Sequence, residues 1–327
     1  MRQLIDLKID YAFKLIFGKQ GNEAILIAFL NAALKFPRDN QITSVTLLNP
    51  EINKEYKDDK KSVMDIRAVT DEGIQINIEI QLANKHDMER RTLYYWAKMY
   101  AHQMQEGMGY KELAKTITIN ILDFNFVRET RNFHSVFRLF EKDEGFELTD
   151  ALEIHFMELP KLLVKWREKL ISPREDGLVR WLFLLEGSED EEIFKTLEEI
   201  AVQDPVLNKA IEEWEKSSDD PKIREEYLAR RKFVLDEKAA VRDAELRLRE
   251  AIKESRVKGR EEGRVEGREE GREEGRAEGR EEGRVEGREE GRAENLLEVT
   301  RKLLKKGMDV KSISEITGLS EEEIKEI

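Results

Sequence analysis

The chain has 327 residues, of which 39% are charged, and its formal net charge is -13. The absence of cysteine excludes disulfides and thiolate metal sites and is typical of a reducing compartment. No apolar run approaches the roughly 20 residues of a membrane-spanning helix, so we expect a cytoplasmic protein with no membrane partner. Residues 1–120 carry 17 Lys+Arg against 16 Asp+Glu, which leaves a nucleic-acid partner open for this part of the chain.

Residues 1–158 are predicted to form one mixed α/β domain. Helical periodicity runs over residues 22–36, and the β-branched residues 42–49 indicate a strand. A helix over residues 87–105 and a buried strand over residues 115–124 follow later in the chain. A strand–helix–strand order at the end favours a mixed sheet with helices packed on it.

The stretch "MDIRAVTDEGIQINIEIQL" alternates apolar and polar residues and predicts a β-hairpin. We expect strands over residues 63–70 and 74–82, joined by a three-residue loop that ends in a left-handed Gly73. Paired residue numbers then sum to 144, which places Asp65 directly opposite Glu79. A one-residue slip would mix the isoleucine face with the polar face, so the apolar face fixes this register.

Two facing carboxylates on one side of this hairpin indicate a metal site. Cross-strand β-carbons lie about 4.5–5.5 Å apart, so Asp65 and Glu79 would repel unless a cation lay between them. A hard ion with oxygen ligands, Mg²⁺ or Mn²⁺, fits that gap. Gln81 points to the same side and could hold the water that attacks a phosphodiester. The alternative is the ordinary solvated face of a half-exposed strand pair.

The predicted helix after the hairpin offers a surface for a nucleic-acid backbone. Arg91, Tyr95, Lys98 and His102 are spaced 4, 3 and 4 residues apart and form one stripe. Together with Lys85 this stripe could contact phosphates, although an ordinary solvated face explains it equally well. Four residues are expected on the opposite, core-facing side of the helix: Leu93, Trp96, Tyr100 and Met104.

The rest of the chain divides into a helical extension over residues 159–256, a repeat arm over residues 257–294 and a small helical tail over residues 295–327. The arm repeats Gly-Arg-Glu-Glu, and its nine glycines recur every fourth residue. Each glycine inside a helix destabilises it by about 1 kcal/mol relative to alanine, whereas each Glu–Arg pair stabilises it by a few tenths of a kcal/mol. The arm is therefore either a flexible tether or a coiled-coil-like helix that packs along bare backbone and forms a homo-oligomer.

The tail combines an amphipathic segment that ends at Gly307 with a second helix that begins at a capping box of Ser320 and Glu323. Helix, turn and helix is an arrangement found in DNA-binding proteins. Because the second helix has only about seven residues, the pattern favours a small helical hook for oligomerisation over a DNA-binding unit.

Several stretches together resemble a known family. They are "DLKIDYAFKLIFG", "MDIRAVTDEGIQINIEIQL", "RRTLYYWAKMYAHQMQEGMGYKEL", "TITINILDF", the "GREEGR" array and "SISEITGLSEEEI". In this order they resemble the Rpn-type PD-(D/E)XK nuclease family transposases, in which glutamine replaces the motif lysine. The resemblance implies an α/β core like that of restriction endonucleases. It also implies a Mg²⁺-dependent DNA endonuclease linked to recombination or mobile elements.

Residue by residue, the resemblance makes Asp65 and Glu79 the metal ligands and places Gln81 at the lysine position. Gln81 could orient the attacking water but supplies no positive charge. Asp10 would be either a further acid near the metal or the N-cap of the first helix. Three lysines are candidates for the missing charge: Lys60, Lys61 and Lys85. Without that charge, the chain would be a catalytically inactive nuclease fold that binds DNA or assembles into oligomers.

Overall fold

A computed structural model describes residues 3–52 and 62–327 of the chain. The chain divides into two compact units, Met1–Glu245 and Leu246–Ile327. Among the described residues, none of the helices combines the length and the apolar character needed to cross a membrane. Lys60 and Lys61, two of the candidate cations, lie outside the described residues.

The first unit is built on a mixed sheet, which confirms the predicted α/β core. Six strands lie in the order β1-β4-β5-β6-β8-β7, with β5, β6 and β8 parallel and the other neighbours antiparallel. Their bounds are Val45–Leu48 (β1), Ile66–Thr70 (β4), Gln75–Gln81 (β5), Thr116–Leu122 (β6), His134–Phe140 (β7) and Glu147–Glu158 (β8). A separate two-stranded sheet pairs Glu51–Ile52 (β2) with Ser62–Val63 (β3).

Helices cover both faces of this sheet. In the first unit they are Asp10–Phe17 (α1), Glu23–Leu34 (α2), Met88–Ala101 (α3), Leu159–Arg167 (α4), Gly177–Glu186 (α5), Glu191–Ala201 (α6) and Pro205–Asp219 (α7), and Pro221–Lys305 (α8) begins there. Helices α1, α2, α5, α6 and α7 share one hydrophobic core with the isoleucines of β4, β5 and β6. Burying this apolar face is the main stabilising contribution to the unit.

The predicted register of the hairpin is confirmed. Ile66 pairs with Ile78 and Val69 with Gln75, so the paired numbers sum to 144. Gly73 adopts a φ of +80°, as the three-residue loop requires. The prediction of one strand over residues 63–70 is wrong, however. The chain leaves the sheet at Met64 and Asp65, because the two residues before them pair with β2 instead.

The polar face of the hairpin is buried, which corrects the alternative of a solvated face. Glu79 is 3% exposed, because helix α3 packs on β5 and β6 on this side. The Thr92 hydroxyl of α3 lies 3.1 Å from the Thr118 hydroxyl of β6. Met88, Thr92 and Met99 are buried, whereas Leu93 is 48% exposed, so the predicted core placement of Leu93 is wrong.

The repeat arm is helical over its whole length, as part of α8. Within the described chain, a β-carbon built on any of its nine glycines meets no other heavy atom within 4 Å. The tail continues with Val310–Thr317 (α9) and Glu321–Glu326 (α10). The predicted capping box is confirmed, since the Ser320 hydroxyl accepts from the Glu323 N–H at 3.2 Å and the Ser320 N–H donates to the Glu323 carboxylate at 2.9 Å.

Candidate active site

Asp65 and Glu79 converge where strands β4 and β5 begin to separate. The Asp65 N–H donates to Glu79 Oε1 at 3.3 Å, and Asp65 Oδ2 accepts from the Ile80 N–H at 3.0 Å. In a continuous ladder the residue opposite Ile80 would be Met64. Because the chain turns away there, the Asp65 side chain takes the hydrogen bond instead. This local break in the sheet brings the two carboxylates together.

Burial disfavours the ionised form of both acids. Burial raises the pKa of Glu79, the negative charge of Asp65 raises it further, and Arg91 offsets only part of this, leaving the pKa at about 8. Burial also raises the pKa of Asp65, although Lys14 opposes the shift. A raised carboxyl pKa means that the charged form is disfavoured. A cation bound between these groups would stabilise both carboxylates.

Two basic side chains contact this pair of acids directly. Lys14 of α1 places its Nζ 3.0 Å from Asp65 Oδ1. Arg91 of α3 donates to Glu79 Oε2 at 3.1 Å and to Gln81 Oε1 at 3.3 Å. Gln81 in turn donates from its Nε2 to Glu79 Oε2 at 3.4 Å. Sequence reasoning placed Arg91 on a stripe for DNA phosphates and missed Lys14, whose one signal was its position four residues after Asp10.

Asp10 lies at the same site and does not cap α1. It is the first residue of that helix, and the N-cap is Ile9. Arg230 of α8 donates from Nε to Asp10 Oδ1 at 2.7 Å and from a terminal nitrogen to Oδ2 at 2.8 Å. Lys14 Nζ is 3.8 Å from Asp10 Oδ2 and so links Asp10 to Asp65. The contact of Arg230 joins residues 220 positions apart, which no local pattern could predict.

A cavity of about 240 Å³ is lined by most of these groups, namely Asp10, Lys14, Asp65, Gln81 and Arg91, whereas the buried Glu79 is not among its lining residues. One wall is helix α8, which contributes Arg230, Phe233, Val234 and Glu237. Lys85 also lines this cavity, and its ammonium group pairs with Glu237. The first turns of α8 therefore stand beside the two central carboxylates.

The remaining residues of the predicted phosphate-binding stripe lie farther along α3. Tyr95 packs against the buried Met64 and Met99, and the Arg91 guanidinium lies 5.4 Å from its ring centroid. Lys98 Nζ lies 5.5 Å from the ring centroid of Tyr94. His102 is exposed at the C-terminal end of the helix. The stripe thus runs from the cavity at Arg91 outward to the surface.

The donor set fits a hard divalent ion. Across residues 3–52 and 62–327, no group of three or more His, Asp or Glu side chains is arranged to hold a metal ion. Magnesium sites, however, commonly use one or two carboxylates together with waters and substrate phosphates. Asp65 and Glu79 supply such carboxylates, and the Asp65 N–H to Glu79 Oε1 bond of 3.3 Å places them at one position.

Comparison with known families gives two matches. Residues 7–244 match the family described as PD-(D/E)XK nuclease family transposase. Residues 293–327 match the Rpn/YhgA-like nuclease family, C-terminal HTH domain. A search of curated proteins and a search of solved structures gave no match. The first match spans Asp10, Asp65, Glu79, Gln81 and the α8 wall of the cavity.

Proposed function

The chain belongs to the PD-(D/E)XK nuclease family transposases, of the Rpn type, and from this membership we propose that it is a Mg²⁺-dependent DNA endonuclease. The observation that carries the proposal is that Asp65, which lines a cavity together with basic side chains, is hydrogen-bonded through its N–H to the carboxylate of the buried Glu79. The family association with recombination and mobile elements gives DNA as the substrate.

In this proposal Asp65 and Glu79 hold the divalent ion, Mg²⁺ or Mn²⁺. When bound, the ion polarises the phosphate and lowers the pKa of the attacking water. Asp65 is fixed by the Ile80 N–H, and Glu79 is fixed by Asn77, Gln81 and Arg91, so both carboxylates are oriented before substrate arrives. Such preorganisation lowers the cost of reaching the transition state.

Gln81 positions the attacking water and is itself held in one orientation. Its carbonyl oxygen accepts from Arg91 and its amide donates to Glu79, so the side chain is fixed at both ends. The positive charge that a motif lysine would bring comes from Lys14 and Arg91. Both lie within hydrogen-bond distance of the metal-binding carboxylates and can stabilise the negative charge that develops on the phosphoryl group.

DNA contacts are assigned to the outward end of the same surface. Lys85, which lines the cavity and would exchange its partner Glu237 for a phosphate, is the first candidate for backbone contact, with Arg91 and Tyr95 beside it. Lys98 would have to turn outward, because its ammonium group is buried near the Tyr94 ring. Such contacts give affinity and position the strand without reading its sequence. The C-terminal helix-turn-helix match supports a second DNA contact in the tail.

The test is cleavage of supercoiled plasmid with and without Mg²⁺. Asp65→Ala should lower the nicking rate by at least about 100-fold, because it removes one metal ligand. Glu106→Gln, an exposed acid-to-amide change outside the cavity, serves as the matched control and should cleave like the wild type. Undiminished nicking by purified Asp65→Ala, or cleavage that persists in chelator, would refute the proposal.

The second candidate is a non-catalytic nuclease fold that binds DNA or assembles through the repeat arm. Glutamine at position 81 and the ion pairs that already neutralise the cavity favour it. Calorimetric titration separates the two, because a nuclease must bind Mg²⁺ at or below about 10 mM. Deletion of residues 259–327, with mass measured in solution, tests assembly: an unchanged oligomer would remove that role from the arm.

A further inference from the structure

A second, more apolar cavity of about 610 Å³ lies beside the candidate active site. Its buried floor is formed by Ile154 and Phe156 of strand β8. Phe137 of the edge strand β7 and Leu93 of α3 form exposed walls. Its volume lies within the range of about 300–1,000 Å³ that is typical of small-molecule and cofactor sites.

The two cavities share a wall. Ala83 and Lys85 line the active-site cavity, whereas the intervening Asn84 and the following His86 line the second. The segment from Ala83 to His86 therefore runs between the two cavities. His86 has a left-handed φ of 60°, a conformation uncommon for a residue other than glycine. It reverses the chain direction at this wall.

Helix α3 forms part of both cavities as well. Arg91 lines the active-site cavity and contacts Glu79, whereas Glu89 and Thr92 line the second cavity. The N-terminal half of α3 thus borders both cavities, which places the second cavity next to the position where a strand of nucleic acid would be held.

The lining has the chemistry of a site for a flat aromatic ring. Phe156 lies with its ring centroid 4.7 Å from that of Phe126 and 5.8 Å from that of Phe137. Polar side chains also line the cavity: Asn84, His86, Arg128 and the acids Glu89 and Glu129. The His86 imidazole lies 3.2 Å from the Glu245 carboxylate. The phenylalanines can stack on a base, and the polar groups can bond its edge and the adjoining phosphate.

We propose that this cavity binds an unpaired nucleobase of the substrate strand, next to the phosphodiester that the active site cleaves. The proposal rests on the proposed nuclease function and specifies its substrate as DNA with an unpaired base at the cleavage position. In an intact duplex the same base is stacked and paired, and must be flipped out at a cost of a few kcal/mol. Single-stranded or locally unpaired DNA avoids that cost.

The experiment measures binding of the full chain to a fluorescent single-stranded oligonucleotide by anisotropy, in chelator, so that no cleavage occurs. A set of oligonucleotides carries one abasic residue, moved by one position in each. For the wild type, one abasic position should lower affinity by about 10-fold, because a stacked base is lost there. Phe137→Ala should lower affinity for the intact strand by a similar factor and abolish sensitivity to that position.

Two variants control for folding and for general surface effects. The first is Phe140→Ala. Phe140 lies on the same strand as Phe137 and is similarly exposed (51% against 46% for Phe137), but it does not line the cavity. It should bind like the wild type, and Phe137→Trp should restore both the affinity and the abasic pattern. Equal effects of Phe137→Ala and Phe140→Ala, or no abasic-sensitive position in the wild type, would overturn the inference.

The result also separates this inference from the nuclease proposal. If the wild type shows an abasic-sensitive position but no Mg²⁺-dependent cleavage, the nuclease proposal is wrong and the inference stands. Failure of the inference appears as cleavage without such a position. If Phe137→Ala alters self-association and leaves DNA affinity unchanged, the cavity is an interface between copies of the chain, and the nucleobase assignment is wrong.

Discussion

Two buried glutamates of one sheet, Glu79 on β5 and Glu153 on β8, have opposite electrostatic surroundings. Their side chains are 3% and 2% exposed, so burial alone would disfavour the charge of each. Glu153 accepts hydrogen bonds from Lys115 and His155 and forms an ion pair with Arg138, each at 2.7 Å. Burial raises the pKa of Glu153, but its bonds to His155 and Lys115 outweigh this and hold the pKa at about 2.

Glu79 differs because its closest charged neighbours are one guanidinium and a second carboxylate. Arg91 cannot offset both burial and the charge of Asp65, so the pKa of Glu79 rises to about 8. A buried carboxylate with matched cations is a structural ion pair, whereas one that shares its site with another acid is a candidate ligand for a metal ion. The comparison thus separates two glutamates that are equally buried.

The largest expected difference is that one glutamate variant loses cleavage and keeps its stability, whereas the other loses stability and keeps cleavage. Glu79→Gln should lower plasmid cleavage by at least about 100-fold with little loss of stability, because it relieves repulsion with Asp65. Glu153→Gln should leave cleavage per folded molecule unchanged but destabilise the fold by about 3 kcal/mol, because Lys115 and Arg138 lose their partner charge. Urea unfolding measures the stability of each variant, and plasmid nicking measures its cleavage. The comparison would fail if Glu79→Gln lowered the free energy of unfolding as much as Glu153→Gln does.

The second prediction is that the two glutamates give stability opposite dependence on pH. The raised pKa of Glu79 contributes stability that is fully present below its unfolded pKa of 4.5 and is lost as pH rises toward about 8. The lowered pKa of Glu153 contributes stability that is present above 4.5 and is lost as pH falls toward about 2. Each slope approaches about 1.4 kcal/mol per pH unit when one proton is exchanged.

Urea unfolding of metal-free protein across the pH range measures these slopes. In the plot of stability against pH, Glu79→Gln should flatten the alkaline side and leave the acid side as in the wild type. Glu153→Gln should flatten the acid side and leave the alkaline side unchanged. A Glu79→Gln variant with an unaltered alkaline side would mean that Glu79 is ionised at neutral pH in the folded chain.

The smallest expected effect comes from Lys14. Lys14→Met removes the cation beside Asp65 and should slow cleavage by about 10-fold, which is at the low end for loss of one electrostatic stabiliser. Lys19→Met serves as the matched control, since Lys19 pairs with Glu213 outside the cavity at 3.1 Å. If both lysine variants cleave like the wild type, Arg91 supplies the positive charge without help from Lys14.

Much of the hairpin could be predicted because its determinants are local. Alternation of period two in β4 and β5 assigns each side chain to a face, and Gly73 sets the turn and hence the register. That register assigns Asp65 and Glu79 to the same side of the hairpin. The break in the strand at Met64 could not be predicted, because it depends on pairing with β2, a separate segment of chain.

The positions of the basic side chains around the acids could not be predicted either, because they depend on contacts between distant segments of the chain. Arg230 reaches Asp10 across 220 residues, and Lys14 approaches Asp65 because α1 packs beside β5. The burial of Glu79, and therefore its raised pKa, depends on α3 covering a face that alternation alone would leave in water.

The sequence by itself determined that two acids of one hairpin face each other, since side-chain direction and turn geometry are set by neighbouring residues. Only the tertiary structure decided how those acids are buried and which cations reach them. Burial and long-range ion pairs depend on how distant helices pack, and that packing converts a common pattern of strand residues into a buried cluster of interacting acids and bases.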